Sequence, residues 1–190
     1  ARRELRLAVS RVIAFAPLLG RAPRVLVLGS LPSVASLAAN QYYAHPRNTF
    51  WRIMGELTGC PAGAAYAERS LAAQRAGIAI WDVLAAASRP GSLDSAIDRR
   101  TVITNDFAAL LRHRSTLALI ACNGQTAAQL FDRHVQPSLR GRAATLARVT
   151  LPSTSPANAS LSLDAKAALW CAALRPALRA ALIVSPAAPD

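Results

Sequence analysis

Lysine is nearly absent from this chain: Lys166 is alone beside twenty-one arginines, and acidic residues number only ten. The shortage of acid leaves a formal net charge of +12 and a pI of about 11.4. A surface charged in this way is unsuited to cationic ligands and points to a polyanionic partner; a GC-rich genome, which favours arginine and alanine, would add to the same bias. Cysteine is scarce as well. Cys60, Cys122 and Cys171 are odd in number and widely separated, without the paired Cys or His spacing of a zinc site. That argues against a disulfide framework and leads us to expect a reducing cytoplasm, no metal and no cofactor. Long hydrophobic runs are missing too. The longest candidates, 117–121 and 78–81, have the length of strands and fall far short of a bilayer span, so no membrane partner is expected. Neither G-x-G-x-x-G nor G-x-x-x-x-G-K-[ST] follows the first apolar run, which disfavours a nucleotide-cofactor enzyme. The chain has no internal repeat and no low-complexity tract.

What is present suits one domain with a full core: 190 residues, 53% hydrophobic, with a mean hydropathy of +0.25. Residues 1–20 mix Arg2, Arg3, Arg6 and Arg11 with apolar side chains. Because the charges penetrate the apolar part, a secretory signal fits poorly, and residues 1–22 are expected to form a basic helix or extension lying on the domain. The domain itself is expected over 23–184, followed by a flexible tail over 185–190. Within it, apolar and β-branched runs predict strands over 24–28, 78–84, 116–121 and 148–151. Helical stretches fall over 49–57, 64–75, 106–112, 125–134 and 164–182. Strands alternating with helices predict an α/β fold, a three-layer α/β/α arrangement around a central four-stranded parallel sheet.

In such a sheet all strand carboxyl ends open on one edge. Gly29-Ser30, Asp82, Asn123 and the loop 153–158 should therefore share one crevice although they are far apart in sequence. Each has an ordinary reading by itself, since Asp82 could cap a helix and Asn123-Gly124 is a common turn. The segment after the first strand is denser still. Gln41, Tyr42, Tyr43, His45, Arg47 and Asn48 crowd polar and ring-bearing side chains into eight positions just before a helix. Asn48 there reads equally as a helix cap and as a site residue.

These residues carry a resemblance. GSLPS at 29–33, QYYAHPRNTFW at 41–51, WDVL at 81–84, CNG at 122–124 and STSPAN at 153–158 resemble the uracil-DNA glycosylase superfamily, and within it most closely the hypoxanthine-DNA (deoxyinosine) glycosylases. The chain departs from most of the superfamily at two positions. Leu31 stands where other branches carry a catalytic Asp or Asn, and Ser153 where many uracil enzymes carry His. The resemblance implies that the catalytic amide moves to Asn48, and that the activity is hydrolysis of the N-glycosidic bond of a flipped nucleotide, leaving an abasic site. Tyr43 is then the candidate to stack on the flipped base, its alternative being plain core packing. Asp82, and after it Asn123, are the candidates to read the base edge, with help to the leaving group from Asp82 or from backbone N–H groups of Gly29, Ser30 and Leu31. Ser153 and Ser155 would touch phosphate, Ala157, Asn158 or Leu161 would fill the vacated stack, and Arg47, Arg140 and Arg142 would contact phosphates. The expected partner is double-stranded DNA bearing a deaminated base, met by a monomeric protein in the cytoplasm, nucleoid-associated if the source is bacterial. Two other readings stay open: a glycosylase preferring uracil or mismatches, and a catalytically silent DNA-binding module on the same frame.

Overall fold

A computed structural model describes residues 11–179. Its centre is a four-stranded, wholly parallel sheet in the order β3-β2-β6-β7, built from β2 (Val25–Gly29), β3 (Ile78–Asp82), β6 (Leu119–Asn123) and β7 (Ala147–Leu151). The side chains of β2 alternate strictly between two cores, as a period of two residues requires. Leu26 and Leu28 pack with Ala79, Trp81, Ile120 and Cys122 under α4 (Phe107–His113) and α5 (Gln125–His134). Val25 and Val27 pack on the opposite face with Ile78, Ile80 and Ala121, against α2 (Phe50–Thr58) and α6 (Leu163–Arg179). The two strands β2 and β3 are buried on both faces, which is why they read as apolar runs, whereas the edge strand β7 exposes Ala147, Arg148 and Thr150. The expected three-layer α/β/α frame and its four parallel strands are therefore present.

A second sheet was not foreseen. β1 (Arg11–Ile13), β4 (Leu84–Ser88) and β5 (Asp98–Thr104) pair antiparallel in the order β1-β4-β5. The run expected as one strand over 78–84 breaks at Val83, where the backbone leaves the parallel sheet and enters this smaller one. Two further helices, α1 (Val34–Ala39) and α3 (Tyr66–Arg75), complete the chain order.

Of the basic helix or extension expected over 1–22, the described part is extended and not helical. Ala14 donates to Ala85 O, and Leu18 exchanges hydrogen bonds of 2.8 and 3.0 Å with Ile80. The exposed backbone edges of β3 and β4 need partners, and Pro17, which cannot donate inside a helix, fits an extended segment. Val12 is buried in the core, so the domain takes in residues ahead of 23. Residues 1–10 of the expected helix and the tail over 185–190 lie outside the described residues.

Candidate functional site

The four parallel strands deliver their carboxyl ends to one cavity of about 320 Å³. Gly29 to Leu31, Tyr43, Asn48, Asp82, Asn123, Ser153, Ser155 and Asn158 all line it, so ten of the thirteen residues singled out by sequence come together. Arg47 is exposed on the same edge but outside the cavity wall. Arg140 and Arg142 are not brought there. Arg142 donates to the carbonyl of Leu117, ahead of β6, and Arg140 donates to Pro137 and Leu139 at 2.7 and 2.8 Å. Both stand at the amino edge of the sheet, because α5 carries the chain back across it before β7 begins.

The floor is the pair Gly29 and Asp82, which face one another in register across β2 and β3. A Cβ on Gly29 would lie 2.3 Å from Asp82 Oδ1 and 3.1 Å from the Tyr43 hydroxyl, so only glycine lets the carboxyl and the phenol close over this strand end. Asp82 is 3% exposed, and its Oδ2 is buried without a hydrogen-bond partner. Burial, helped by the Asp94 carboxylate and opposed by Arg89, pushes the Asp82 carboxyl up to about 7. It is therefore about half protonated near neutral pH. The buried Tyr43 hydroxyl also lacks a partner, and burial followed by the field of Asp82 pushes its pKa up, so it stays neutral.

Tyr43 holds a left-handed backbone, with φ of 55°. For a bulky residue this costs of the order of 1–3 kcal/mol and persists only where its surroundings over-determine it. Here they do. Trp51 Nε1 donates to Tyr42 O at 2.9 Å, the Tyr42 hydroxyl donates to Ala16 O at 3.0 Å, and the Tyr43 ring stacks on Phe50 with centroids 3.9 Å apart. One face of Tyr43 is thus taken by the core, and a base could use only the other. The core-packing reading is observed, and the free face borders the cavity.

Asn48 combines two roles. Its Oδ1 accepts from Phe50 N at 2.9 Å, satisfying a donor in the first turn of α2, while the residue also forms part of the cavity wall. A carboxamide oxygen has two lone pairs, so one remains for a water. Asn123 is more fully committed. It donates from Nδ2 to Thr154 Oγ1 and accepts from Thr154 N, both at 2.9 Å, binding the end of β6 to the loop after β7. Thr154 O in turn accepts from Thr49 N at 3.1 Å, tying that loop to the start of α2. Asn123 therefore positions the loop, and its capacity to read a base is reduced. Within the loop, Ser153 Oγ accepts from Ser155 N, Asn158 Nδ2 donates to Ser153 O, and the buried Lys166 donates to Asn158 O.

The reading from sequence missed Arg89, Asp94, Thr154 and Lys166. Arg89 is 1% exposed, donates to the carbonyls of Gly91, Leu31 and Pro32, and lies 3.5 Å from Asp94. It clamps the turn 29–33 to the loop carrying Asp94, which lines the cavity. Burial lowers the Arg89 pKa while Asp94 and Asp82 hold it up; burial raises that of Asp94, with Ser30 and Arg89 opposing. Nothing in S-R-P-G-S-L-D separates such an arginine from a solvated one. Thr154 sat inside a segment already noted, and the solitary lysine of an arginine-rich chain was the one available sign of Lys166. Among the described residues no group of three or more His, Cys, Asp or Glu side chains is arranged to hold a metal ion.

The model of the Uracil DNA glycosylase superfamily matches residues 17–175. A Methanosarcina acetivorans protein named Hypoxanthine DNA glycosylase is 37% identical over 149 residues, covering 78% of this chain and 89% of that protein. A Methanosarcina barkeri protein of the same name is 36% identical over 112 residues, 58% of this chain and 70% of that one. A solution NMR structure of a Methanosarcina acetivorans protein superposes with a TM-score of 0.73 at 32% identity, covering 88% of this chain and 99% of that one.

Proposed function

The chain belongs to the uracil DNA glycosylase superfamily, and we propose that it is the branch member that excises hypoxanthine from deoxyinosine in double-stranded DNA. It is a DNA glycosylase, a hydrolase of N-glycosyl bonds. What supports the substrate is the likeness to two proteins named Hypoxanthine DNA glycosylase, and the group placed to meet the base is the Asp82 carboxyl, buried at the cavity floor with an oxygen that nothing in the protein satisfies. A neutral carboxylic acid presents one O–H donor and one carbonyl acceptor side by side. Hypoxanthine presents the complement, an O6 acceptor beside an N1–H donor; uracil presents the same pair at O4 and N3–H, and a carboxylic acid turned the other way meets N1 and N6–H of adenine, so Asp82 binds the base edge and the choice among bases rests on the fit of the whole cavity. The base must be flipped into the cavity to be read in this way, with the free face of Tyr43 replacing its lost stacking.

Hydrolysis adds water across the C1′–N9 bond. As that bond lengthens, positive charge develops on the sugar and negative charge on the base, so dipoles fixed in advance supply most of the stabilisation. Asn48 directs its remaining Oδ1 lone pair to the attacking water and its dipole to the sugar. Asp82, donating to O6, and the backbone N–H groups of the 29–31 turn take up the charge on the leaving purine. The water's oxygen ends on C1′, one proton ends on the released hypoxanthine, and an abasic site remains. The buried, apolar Leu31 adds no polar group to this chemistry. Ser153, Ser155 and Asn158 stand at the cavity wall on a loop braced from Thr154 and Lys166, suited to meeting the strand around the lesion, and exposed Arg47 adds charge on the same edge. The three unpaired cysteines suit a reducing cytoplasm, and among the described residues no helix is long and apolar enough to cross a membrane.

The test is base release from duplexes carrying deoxyinosine, deoxyuridine or normal bases, with abasic sites cut by alkali. Release of hypoxanthine well ahead of uracil is expected. Release of uracil alone would overturn the substrate, and tight DNA binding without any abasic product would overturn the enzyme.

A further inference from the structure

Behind Tyr43 and Asn48 lies a second hollow, of about 360 Å³, walled by those two residues together with Gln41, His45, Trp51, Arg52 and Arg69. It takes no part in the chemistry above, yet it opens toward the same edge of the sheet. Arg69 stands one turn into α3, a helix that starts at the carboxyl edge and runs back toward the amino end of β3. The Arg69 guanidinium lies 4.9 Å from the centre of the Trp51 ring and 5.8 Å from that of Tyr66. The two rings, set 89° apart, hold the guanidinium by cation–π attraction, which takes up none of its N–H donors.

Those donors are not consumed within the protein. Arg69 Nε is buried with no hydrogen-bond partner, an uncommon condition for a charged group. The ion pairs among the described residues join Arg89 to Asp94, Arg100 to Asp98 and Arg148 to Asp132, and none includes Arg52 or Arg69. The neighbouring acid, Glu68, turns its carboxylate to the backbone N–H of Ala65. His45 Nδ1 accepts from Arg47 N at 3.1 Å, which leaves Nε2 to carry the proton of the neutral ring and donate. Two arginines without a carboxylate partner and an imidazole donor thus surround a hollow that shares its wall with the base cavity.

We infer that this hollow is a phosphodiester site, in which Arg69, flanked by Arg52 and His45, holds one phosphate of the strand whose nucleotide is flipped. A planar guanidinium matches two phosphate oxygens. Gripping a phosphate on the far side of Tyr43 and Asn48 fixes the strand relative to the cavity. The inference rests on the glycosylase reading for the identity of the strand, while its test is one of binding and stands apart from activity.

The test measures affinity for a deoxyinosine duplex across salt concentration, for wild type, Arg69→Gln and Arg52→Gln. Neutral methylphosphonates are also placed one at a time around the lesion. Loss of one phosphate contact lowers the slope of log K against log salt by about 0.9, and that reduction is expected for Arg69→Gln. One methylphosphonate position should weaken wild type several-fold and leave Arg69→Gln unaffected. The methylphosphonate scan on wild type needs no variant to fold, and Arg52→Gln changes an exposed side chain. An unchanged slope in both variants, or a scan in which every position costs wild type and Arg69→Gln equally, would overturn the site. Absence of excision by wild type with the slope change intact would overturn the glycosylase reading and leave the phosphate site standing.

Discussion

Replacing Asp82 by Asn should make the protein's stability less sensitive to alkaline pH. The carboxyl moves from its ordinary 3.8 to about 7 on folding, because burial and Asp94 oppose its ionisation more than Arg89 favours it. At about 1.4 kcal/mol for each tenfold change in acidity, ionising Asp82 in the folded chain costs about 4 kcal/mol. The sign follows from proton counts. Between about pH 4 and pH 7 the folded state keeps a proton that the unfolded state has lost, so stability falls as pH rises through that window and stays low above it. About 3 kcal/mol of the loss should accrue between pH 5 and pH 8.5. Asn has the same shape and no proton to lose. Urea unfolding of wild type and Asp82→Asn at the two pH values should show the variant gaining about that much relative to wild type on going to pH 8.5. Titrating groups that do not interact with Asp82 cancel in the comparison. Excision should behave in parallel, because an amide keeps one donor beside one acceptor: wild type should slow above about pH 7 and Asp82→Asn should not. Parallel stability curves for the two proteins would refute the buried neutral acid and, with it, the proposed reading of the base.

Two further substitutions test how the cavity is held. Arg89→Met leaves Asp94 without its cation and the Leu31 and Pro32 carbonyls without their donor, and should cost about 3–5 kcal/mol in urea unfolding; Arg89→Lys should recover little, since a point charge cannot span three carbonyls. Gly29→Ala places a methyl group 2.3 Å from Asp82 Oδ1 and must displace the carboxyl. A misplacement of this size should slow single-turnover excision about 100-fold while circular dichroism stays native, and a wild-type rate would show that Asp82 need not sit where it does.

The parallel sheet was legible because burial on both faces leaves strands such as Val25–Gly29, and Ile78–Asp82 up to its terminal carboxyl, without polar positions. Its edge then followed from chain direction, and with it the meeting of Gly29, Asp82, Asn123 and Ser153. The antiparallel sheet was illegible for the opposite reason. β4 is mostly alanine, which reads as readily for a helix, and β5 begins Asp-Arg-Arg, so neither shows a β-branched run or a clean alternation; backbone pairing, with Leu84 and Ala87 buried in the core, holds them. Residues 11–20 misled because their apolar spacing suits a helix, while the open edges of β3 and β4 claim their backbone. Arg140 and Arg142 were chosen on charge alone, and charge says nothing about which edge of a sheet a loop occupies. Arg89 is the reverse case, an arginine whose significance lies in burial that only the folded chain reveals.

The chemistry itself turns on Asn48. The most direct measurement is the single-turnover rate of hypoxanthine release from a deoxyinosine duplex at saturating protein, for wild type and Asn48→Ala. Losing the acceptor of the Phe50 N–H should cost about 1 kcal/mol of stability and little DNA affinity, while losing the group that orients water and faces the sugar should slow release by about 100-fold or more. Release at the wild-type rate from a folded Asn48→Ala protein would contradict the assignment of hydrolysis to this residue.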